Sequence, residues 1–457
     1  MHPALESIRN ALRGTPFEGQ VRLVGGAVRD ELLGIAHSND FDLVTELDAL
    51  ALAETLWKKG VSDIPPVTYP RFRTALVRTE GANVELVTAR KESYAEESRK
   101  PDIAPATLRE DAQRRDFTVN ALMRNIHSGE LLDLLGMGLS DLESRTLRTP
   151  LDPAETFRDD PLRMLRAVRF VWQLRFVPAP GLYDAIREER DRLSIISEER
   201  IRDEFVKMMG LPDADRALSD LESLGLLALF APELLEMKGV TQGRYHHLDV
   251  WDHTLLAVRN TASDDPLTLL AVLLHDVGKP ATRSVDERGD IRFFQHERVG
   301  EKLAFEFMSR LRFSREDSLA VAKLVRNHMR LQTMAELTPS AARRLVRDLG
   351  PDLGRLLDVV EADASALRPG VKAMDVPAIR RQIEEVARMT PAQSLESPLS
   401  GEEIMDELGL EPGPDVGRRK TWLIEQVLEG RLTPDDKAAA RVLLKEFPLD
   451  FRPQASD

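Results

Sequence analysis

The part of the sequence that decides the fold is a glycine turn and the strand after it, Leu23-Val24-Gly25-Gly26-Ala27-Val28-Arg29-Asp30 and then Asn39-Asp40-Phe41-Asp42-Leu43-Val44. Residues 21–24 are typical of a short strand, and residues 27–33 are typical of a helix that begins just after the glycines. Backbone amides at the glycines can approach an anion closely, and the positive end of the helix points to the same place.

Two carboxylates follow this turn on the next predicted strand, residues 40–44. Because side chains alternate along a strand, Asp40 and Asp42 point the same way while Phe41 packs behind them. An Asp-x-Asp pattern on a strand, taken alone, is more often a pair of solvent-exposed residues without a function. Facing a glycine turn, with Arg29 one turn into the helix, the pair predicts a place for Mg²⁺ and a nucleoside triphosphate.

The composition limits the classes of protein to which the chain can belong. Its 457 residues suggest about three domains, and a hydrophobic fraction of 42% is ordinary for globular proteins. The net charge of −14 makes the chain a poor general binder of nucleic acid, so an RNA-binding surface must be local. The absence of cysteine excludes disulfides, thiolate zinc sites and cysteine nucleophiles. Since the sequence has no secretory signal and no long apolar run, we expect a soluble cytoplasmic protein outside the membrane.

Two further strands are expected in the N-terminal part, at residues 74–77 and 84–87, with a turn at residues 80–83 between them. Glu85 lies on the second of these strands, where it either joins the two aspartates as a third acidic group or faces solvent, and we favour the solvent-facing position. The polar stretch from Ala95 to Pro105 is predicted to be a mobile loop. The N-terminal part is therefore predicted to be a mixed α/β unit with a small sheet.

The most specific motif is RRDFTxNAL, which reads Arg114-Arg115-Asp116-Phe117-Thr118-Val119-Asn120-Ala121-Leu122. Adjacent arginines can bind triphosphate oxygens through forked hydrogen bonds. Asp116 can orient an arginine or a ribose hydroxyl, and Asn120 can brace the same loop. Together with the glycine turn and the acidic pair, in this order, the motif resembles the class II tRNA nucleotidyltransferase and bacterial poly(A) polymerase family of the polymerase-β-like superfamily.

This resemblance implies a nucleotidyltransferase head in which Asp40 and Asp42 are the catalytic pair and hold Mg²⁺. It also implies that the polar loop helps to switch between nucleotides. The nucleotide-binding residues that we assign in the head on this basis are Gly25, Gly26, Arg29, Arg114, Arg115, Asp116 and Asn120.

A helix with three arginines follows at residues 162–170. We interpret Arg163, Arg166 and Arg169 as one broad basic face, because a spacing of three residues drifts by about 60° per step. In the family that the sequence resembles, this region carries an EDxxR motif whose Asp and Arg pair with the incoming base. Asp160 and Arg163 match that pair, which implies base recognition by side chains, helped by Arg166 and Arg169. Asp159 departs from the usual Glu, and an ERIxxE element in residues 197–205 is given a structural role.

Histidines are crowded in the second half of the chain, where six of the nine lie between residues 246 and 328: His246, His247, His253, His275, His296 and His328. His275-Asp276 ends an apolar helix, and with His253 upstream and Asp363 downstream it resembles the HD metal-dependent phosphohydrolase signature. Imidazoles and carboxylates suit a divalent transition metal, and His296 and His328 can complete a two-metal site. The alternative is a degenerate HD pair that only holds helices together.

The C-terminal part is predicted to be helical, and its GxxIMxxLGLxPGPxVG pattern resembles the tail of many bacterial nucleotidyltransferases of the same family. Arg418, Arg419 and Lys420 can meet RNA phosphates there, although such a basic trio is more often a solvated helix start. The last residues, 448–457, are expected to be frayed.

Taken together, the motifs predict an α/β head with a small mixed sheet, followed by an all-α neck, an HD-type domain and a tail that contacts tRNA. The expected segments are residues 1–145, 146–212, 213–370 and 371–457. The expected reaction is addition of CCA, or of CC only, to the 3′ end of tRNA from CTP and ATP, with Mg²⁺ in the head and a divalent transition metal as a further expectation for the HD domain. The oligomeric state is left open.

Two alternatives to this function stay open. One is a poly(A) polymerase of the same family, although Pro70-Arg71-Phe72-Arg73-Thr74-Ala75 matches the GRRFRLxHV strand of those enzymes only in part. The other is an HD phosphohydrolase whose head is an RNA-binding remnant. That protein would hydrolyse phosphoesters even without Asp40 and Asp42.

Overall fold

The chain folds into two compact units, Met1–Leu235 and Glu236–Asp457. The computed structural model describes residues 2–35, 39–79, 81–93, 102–243, 247–332, 337–368, 370–371, 374–389 and 395–451. Residues 95–101 of the predicted loop, His246 and residues 452–457 of the predicted frayed end lie outside this set. The four predicted segments stay predictions within the two units. No helix in the described ranges combines the length and the apolar character that a membrane crossing requires.

The strands of the first unit are short, and most of them pair antiparallel. In chain order they are β1 Arg22–Val24, β2 Asp40–Thr45, β3 Val67–Tyr69, β4 Thr74–Thr79, β5 Ala82–Thr88, β6 Arg90–Ser93, β7 Asp102–Pro105, β8 Met123–Asn125, β9 Leu131–Leu132, β10 Thr146–Leu147 and β11 Val177–Pro178. Among the described residues, seven strands form one sheet in the order β3-β4-β5-β2-β1-β8-β9, in which β2 and β5 run parallel. β6 pairs with β7, and β10 with β11. The predicted mixed sheet is confirmed.

The helices of the first unit flank this sheet and then form the neck. In chain order they are α1 Pro3–Ala11, α2 Gly26–Leu33, α3 Ala49–Lys58, α4 Leu108–Gln113, α5 Gly138–Glu143, α6 Pro153–Asp159, α7 Leu162–Leu174, α8 Leu182–Glu189, α9 Glu198–Met209, α10 Ala214–Ser223, α11 Leu227–Phe230 and α12 Pro232–Leu235. Short 3₁₀ helices cover Pro70–Phe72, Thr118–Asn120 and Arg190–Ile195. The helical character of the neck is confirmed, apart from the two-residue strands β10 and β11 within residues 146–212.

The two faces of the sheet differ in their exposure to solvent. Phe41 and Leu43 of β2 lie on the buried face, and α3 packs against β4 and β5 on that side. Asp40 and Asp42 lie on the opposite face. On that face of β5, β4 and β3, five residues are exposed, Leu76 and Val87 are half-buried, and Thr74 is buried. This alternation is typical of a sheet that packs on one side only. The face that carries the acidic pair, called the open face below, is therefore accessible across four strands.

The second unit is helical and is built around one buried helix. Its helices are α13 Val250–Asn260, α14 Pro266–Leu274, α15 Lys279–Thr282, α16 His296–Arg310, α17 Arg315–Asn327, α18 Pro339–Leu349, α19 Leu353–Ser365, α20 Val376–Met389, α21 Gly401–Leu408, α22 Pro414–Leu428 and α23 Lys437–Leu444, with a 3₁₀ turn at Gly350–Asp352 and a small ladder of β12 Arg283–Val285 and β13 Ile291–Phe293. Residues 268–274 of α14 are all buried, and α14 packs against α13, α17 and α19. Because α14 is apolar all round, its C-terminal end brings His275 and Asp276 into the interior.

Candidate functional site

A cavity of about 350 Å³ lies at the acidic pair in the first unit. The glycine turn, β2, the RRDFTxNAL motif and α7 form its walls. The lining residues are Val24, Gly25, Gly26, Ala27, Arg29, Asp30, Asp40, Asp42, Arg115, Asp116, Asn120, Arg166, Arg169, Phe170 and Gln173. The structure thus gathers every predicted head and neck site residue in this lining except Arg114, Asp160 and Arg163.

Gly25 allows the turn to approach the acidic pair closely. Its φ of 82° lies in the left-handed region that favours glycine, and a Cβ there would lie 3.2 Å from Oδ2 of Asp42. Gly26 begins α2, and a Cβ at this residue would lie 3.4 Å from Nη2 of Arg29. Because neither position carries a side chain, an anion in the cavity can reach the amides at the start of α2.

Asp40 and Asp42 are both exposed on the open face of β2. Asn83 donates a hydrogen bond of 3.0 Å to Oδ1 of Asp40. Asp42 is accessible to water, but the surrounding cavity wall removes part of its hydration. This burial raises the pKa of Asp42; Arg115 opposes the rise, and the neighbouring charge of Asp40 adds to it. Carboxylate oxygens are the ligands that a hard divalent cation prefers, and such a cation would offset the repulsion between these two neighbouring charges. The residues therefore fit Mg²⁺.

Glu85 is solvent-exposed, as the sequence suggested, but it also lies next to the acidic pair. In the parallel pairing of β2 with β5 it stands directly opposite Asp42, on the same face of the sheet. Burial and the charge of Asp42 raise the pKa of Glu85 above its ordinary value. The structure therefore places a third carboxylate beside Asp42, on the side away from the glycine turn.

Arg29 is buried, and three contacts hold its guanidinium in place. Nη2 contacts Oδ1 of Asp30 at 2.7 Å, and Nη1 donates to Oδ1 of Asn120 at 2.6 Å. The guanidinium also lies over the ring of Phe170, 5.1 Å from its centroid. Asn120 therefore braces the site through Arg29, which ties the RRDFTxNAL motif to α2.

Asp111 is a site residue that the sequence analysis missed. Its fully buried carboxylate accepts hydrogen bonds from Nη2 of Arg114 at 2.6 Å and from Nη2 of Arg115 at 3.0 Å. Burial alone raises the pKa of Asp111, but the charges of Arg115 and Arg114 outweigh it and lower the pKa below its usual value. Nε of Arg114 also donates to the carbonyl oxygen of Arg90 at 2.9 Å. The helical spacing of three and four residues from Asp111 to the arginines is the signal that reveals this role.

Asp116 connects the head to the neck helix α7. Its Oδ2 accepts hydrogen bonds from Nε and Nη2 of Arg166, at 2.9 and 2.5 Å, and its Oδ1 accepts from Asn120 at 3.1 Å. Burial alone raises the pKa of Asp116, but the charge and the hydrogen bonds of Arg166 outweigh it and lower the pKa to about 2. Asp116 is therefore ionised at neutral pH and orients an arginine, one of the two roles suggested by the sequence.

The arginines of α7 do not form the solvent-facing basic surface that the sequence predicted. Arg163 and Arg169 are only 8% and 7% exposed, and Arg166 is half-buried. Nε of Arg169 donates to Oε2 of Glu204 at 2.7 Å, and Nη1 of Arg166 lies 3.4 Å from Oε1 of the same carboxylate. The prediction was wrong because the neck helices bury this side of α7. Glu204, from the ERIxxE element, neutralises arginines that line the cavity.

Asp160 and Arg163, the predicted base-recognition pair, lie outside the lining of the cavity. Oδ2 of Asp160 accepts a hydrogen bond from Arg200 at 2.9 Å, and Oδ1 accepts from the amide of Leu162 at 3.2 Å. Nη2 of Arg163 donates to the carbonyl oxygen of Arg114 at 2.5 Å. Each residue is thus tied to another part of the site, and base recognition by the pair stays a prediction.

The predicted HD residues form a buried centre in the second unit, and their donor atoms fall into two groups. His253, His275 and Asp363 make up one group, and Asp276, His296 and His328 make up the other. Within each group the donor atoms lie within 4.8 Å of one another. All these side chains are buried, whereas His247 is exposed and belongs to neither group.

Backbone carbonyl groups orient the four imidazoles of this centre. The distance from Nδ1 to a carbonyl oxygen is 2.7 Å in His275 and His328, 2.9 Å in His296 and 3.3 Å in His253. A ring that donates from Nδ1 keeps the lone pair of Nε2 for a metal. Nε2 of His275 is buried and lies 3.2 Å from Oδ2 of Asp276, without the alignment of a hydrogen bond. This close approach of an imidazole nitrogen and a carboxylate oxygen, and the mixed imidazole–carboxylate donors, fit a divalent transition metal.

Gly278 allows the two donor groups to meet. A Cβ at this position would overlap the carbonyl oxygen of His296, the first residue of α16, and would lie 2.6 Å from the amide nitrogen of Gly300. A side chain here would push α16 away from the end of α14. The neighbouring Lys279 is buried, and its Nζ lies 2.6 Å from Oδ2 of Asp276.

The basic trio of the tail is largely engaged within its own unit. Nη2 of Arg418 donates to two carbonyl oxygens in residues 449–451, at 2.8 and 3.0 Å. Arg419 forms an ion pair with Asp415. Arg418 thus holds the C-terminal segment against α22, Arg419 is paired within α22 itself, and Lys420 is exposed. The predicted contact of this trio with RNA stays a prediction.

Three family models match successive parts of the chain. A model described as the poly(A) polymerase head domain matches residues 21–148. A second, described as a probable RNA and SrmB-binding site of polymerase A, matches residues 175–238. The HD domain matches residues 244–366.

Similar proteins cover almost the whole chain. An A-adding tRNA nucleotidyltransferase of Deinococcus radiodurans is 37% identical over 446 residues, which is 93% of this chain and 96% of the relative. A CC-adding tRNA nucleotidyltransferase of Thermus thermophilus is 36% identical and covers 92% of each chain. Among solved structures, the CCA-adding enzyme of Bacillus stearothermophilus in complex with CTP superposes with a TM-score of 0.71 at 23% identity over 98% of both chains, which shows the shared fold.

Proposed function

Because the chain belongs to the family of tRNA nucleotidyltransferases and poly(A) polymerases, we propose that it extends the 3′ end of tRNA with nucleotides from CTP and ATP, without a template strand, and releases pyrophosphate. One observation carries the proposal: Asp40 and Asp42 share a single cavity with a side-chain-free glycine turn and a clamped arginine, Arg115. A cytoplasmic location is part of the same proposal, since tRNA with an incomplete 3′ end is the substrate.

The residues of the cavity bind and orient the nucleotide in this reaction. The amides at Gly25 and Gly26 and the guanidinium of Arg115 supply positive charge to the triphosphate. Arg29 and Asn120 fix the relative positions of the two motifs that hold it. Asp40 and Asp42 would hold Mg²⁺, which would supply the charge that favours both attack by the RNA 3′-hydroxyl and departure of pyrophosphate.

Incubation of three tRNA transcripts, lacking CCA, CA or A, with CTP, ATP or both tests the proposal at single-nucleotide resolution. We expect addition of C, of A, or of both in order. One of the full-length relatives is named for A addition and the other for CC addition, so the assay has to separate A-only, CC-only and complete CCA addition. Long tails made from ATP alone would instead support the poly(A) polymerase alternative. No incorporation on any transcript would refute the proposal.

Base selection is the role that we propose for Asp160 and Arg163. A carboxylate accepts a hydrogen bond from the 4-amino group of cytosine, and a guanidinium donates to its ring nitrogen or carbonyl oxygen. Asp160 lies two residues before α7, whose residues Phe170 and Gln173 line the cavity. In the structure, Asp160 is bound to Arg200, and Arg163 is bound to the Arg114 carbonyl. We therefore propose that both side chains leave these partners when they bind a base.

Asp160→Ala is expected to reduce the discrimination between CTP and ATP by about 5- to 150-fold, because one bidentate contact to a base contributes about 1–3 kcal/mol of discrimination. Binding of the triphosphate should persist, since Asp160 does not line the cavity. The measurement is kcat/KM for each nucleotide on a matched RNA. Asp191→Ala, which removes an exposed neck carboxylate, is the control. Unchanged discrimination in Asp160→Ala would remove the side-chain template from the proposal.

We also infer a second activity in the second unit, the hydrolysis of phosphoesters. The supporting observation is the set of six buried donors, whose four imidazoles are oriented by backbone carbonyls. These groups would hold divalent metal, which would supply an activated water and polarise the phosphoryl group. No residue of the nucleotide cavity takes part, so this activity should survive the loss of Asp40 and Asp42.

A further inference from the structure

The position of the nucleotide cavity decides the side from which the RNA arrives. In the sheet order, β1 lies on one side of β2 and β5 on the other. The glycine turn follows β1, so the backbone amides proposed to hold the triphosphate stand on the β1 side of Asp40 and Asp42. Phosphoryl transfer needs the attacking and leaving oxygens roughly in line. The 3′-hydroxyl therefore approaches the acidic pair from the side of β5.

The open face of the sheet forms a continuous path on that side. In the register of the strands, Asp42 stands opposite Glu85, Glu85 opposite Leu76, and Leu76 opposite Val67. Residues paired in register share a face, so these side chains form a row that runs from the acidic pair to the outer edge of the sheet. Tyr69, two residues after Val67, lies on the same face.

Aromatic and basic side chains occur together at the far end of this row. Tyr69 is 49% exposed and Phe72, just after β3, is 43% exposed. Arg71 and Arg73 are also exposed there, whereas the exposed Arg78 lies on β4 opposite Asn83, closer to the acidic pair. None of the three forms an ion pair or a hydrogen bond through its side chain with the residues that the structure describes. In a chain with a net charge of −14, unpaired arginines beside exposed aromatic rings are suited to nucleic acid.

We propose that the open face of β5, β4 and β3 is the platform for the unpaired 3′-terminal nucleotides of the RNA, and that Tyr69 stacks on one of their bases. This inference rests on the proposed nucleotide addition. The distance from β2 to β3 is three strand spacings, about 14 Å. Stacked nucleotides rise about 3.4 Å each, so the platform spans three or four of them. Tyr69 then meets the third or fourth base from the 3′ end, and the nearby arginines meet phosphates.

The test compares two RNA minihelices, one with four unpaired 3′ nucleotides and one with a blunt end, by fluorescence anisotropy without nucleotide triphosphate. Loss of one base–aromatic stack weakens binding by about 5- to 150-fold. Tyr69→Ala should weaken binding of the overhang RNA by such a factor and leave binding of the blunt RNA unchanged. Tyr69→Phe should behave like the wild type, because the ring is retained.

Trp57→Ala is the matched control, since Trp57 is 40% exposed on α3, which packs against the opposite face of the sheet. It should bind both RNAs as the wild type does. The platform is refuted if Tyr69→Ala weakens both RNAs equally or neither, or if the overhang adds nothing to wild-type binding. These outcomes are independent of nucleotide addition. Failure of the wild type to extend any transcript would overturn the proposed function alone.

Discussion

Asp42→Asn is expected to lower nucleotide incorporation by at least about 10³-fold, because an amide keeps the shape of the side chain but removes the charge that holds Mg²⁺. The fold should persist and the melting temperature should stay the same or rise. Burial raises the pKa of Asp42, so the native state disfavours its ionised form, and above that pKa the charge reduces stability. Single-turnover incorporation of labelled CTP or ATP and a thermal melt measure the two effects.

Asp63→Asn is the control for this substitution, because Asp63 is an exposed carboxylate of the same unit outside the lining of the cavity. It should change neither incorporation nor the melting temperature. Nucleotide binding without Mg²⁺ should remain in Asp42→Asn, since the glycine turn and Arg115 are intact. Full activity in Asp42→Asn would refute the assignment of the metal-binding pair.

His275→Ala and His328→Ala are each expected to remove metal from the second unit while leaving nucleotide addition intact. Each substitution deletes one donor from a different group of three, and loss of a ligand should weaken binding by more than about 100-fold, the upper effect of losing an outer-shell partner. We expect the wild type, dialysed after loading with Mn²⁺ or Ni²⁺, to retain up to two ions per chain, and each variant to retain at least one fewer. Mass spectrometry of the metal content measures this.

His247→Ala is the matched control, because His247 is an exposed histidine of the same region outside both donor groups. It should retain as much metal as the wild type. Hydrolysis of bis(p-nitrophenyl) phosphate should follow the metal content across the series. A wild type that binds no divalent metal, with unchanged nucleotide addition, would show that the histidines only hold helices together.

The parts of the site that follow from local rules could be predicted from the sequence. The glycine turn, the helix after it and the shared face of Asp40 and Asp42 depend on residues within about ten positions of one another. Their placement was correct, and α2 and β2 differ from the expected bounds by one residue. The end of the apolar helix α14 at His275 was also predictable, because its pattern and its HD pair lie in one short segment.

The partners of the arginines could not be predicted, because they come from elements far apart in the chain. The spacing of Arg163, Arg166 and Arg169 suggested a basic surface, yet α9 supplies Glu204 and the head supplies Asp116 to the same side of α7. Because of this tertiary packing, Arg166 and Arg169 line the cavity and do not form an exposed basic surface. Asp111 is the exception, since its spacing from Arg114 and Arg115 was a local signal.

Gly278 gives a simple way to sort related proteins. Any residue larger than glycine there would separate α14 from α16 without touching a single nucleotide-binding group. A homologue with alanine or serine at this position is expected to lack the proposed phosphoester hydrolysis and to keep nucleotide addition, even where all its histidines are present. The residue at this one position of an alignment would then separate members with both activities from members that only add nucleotides.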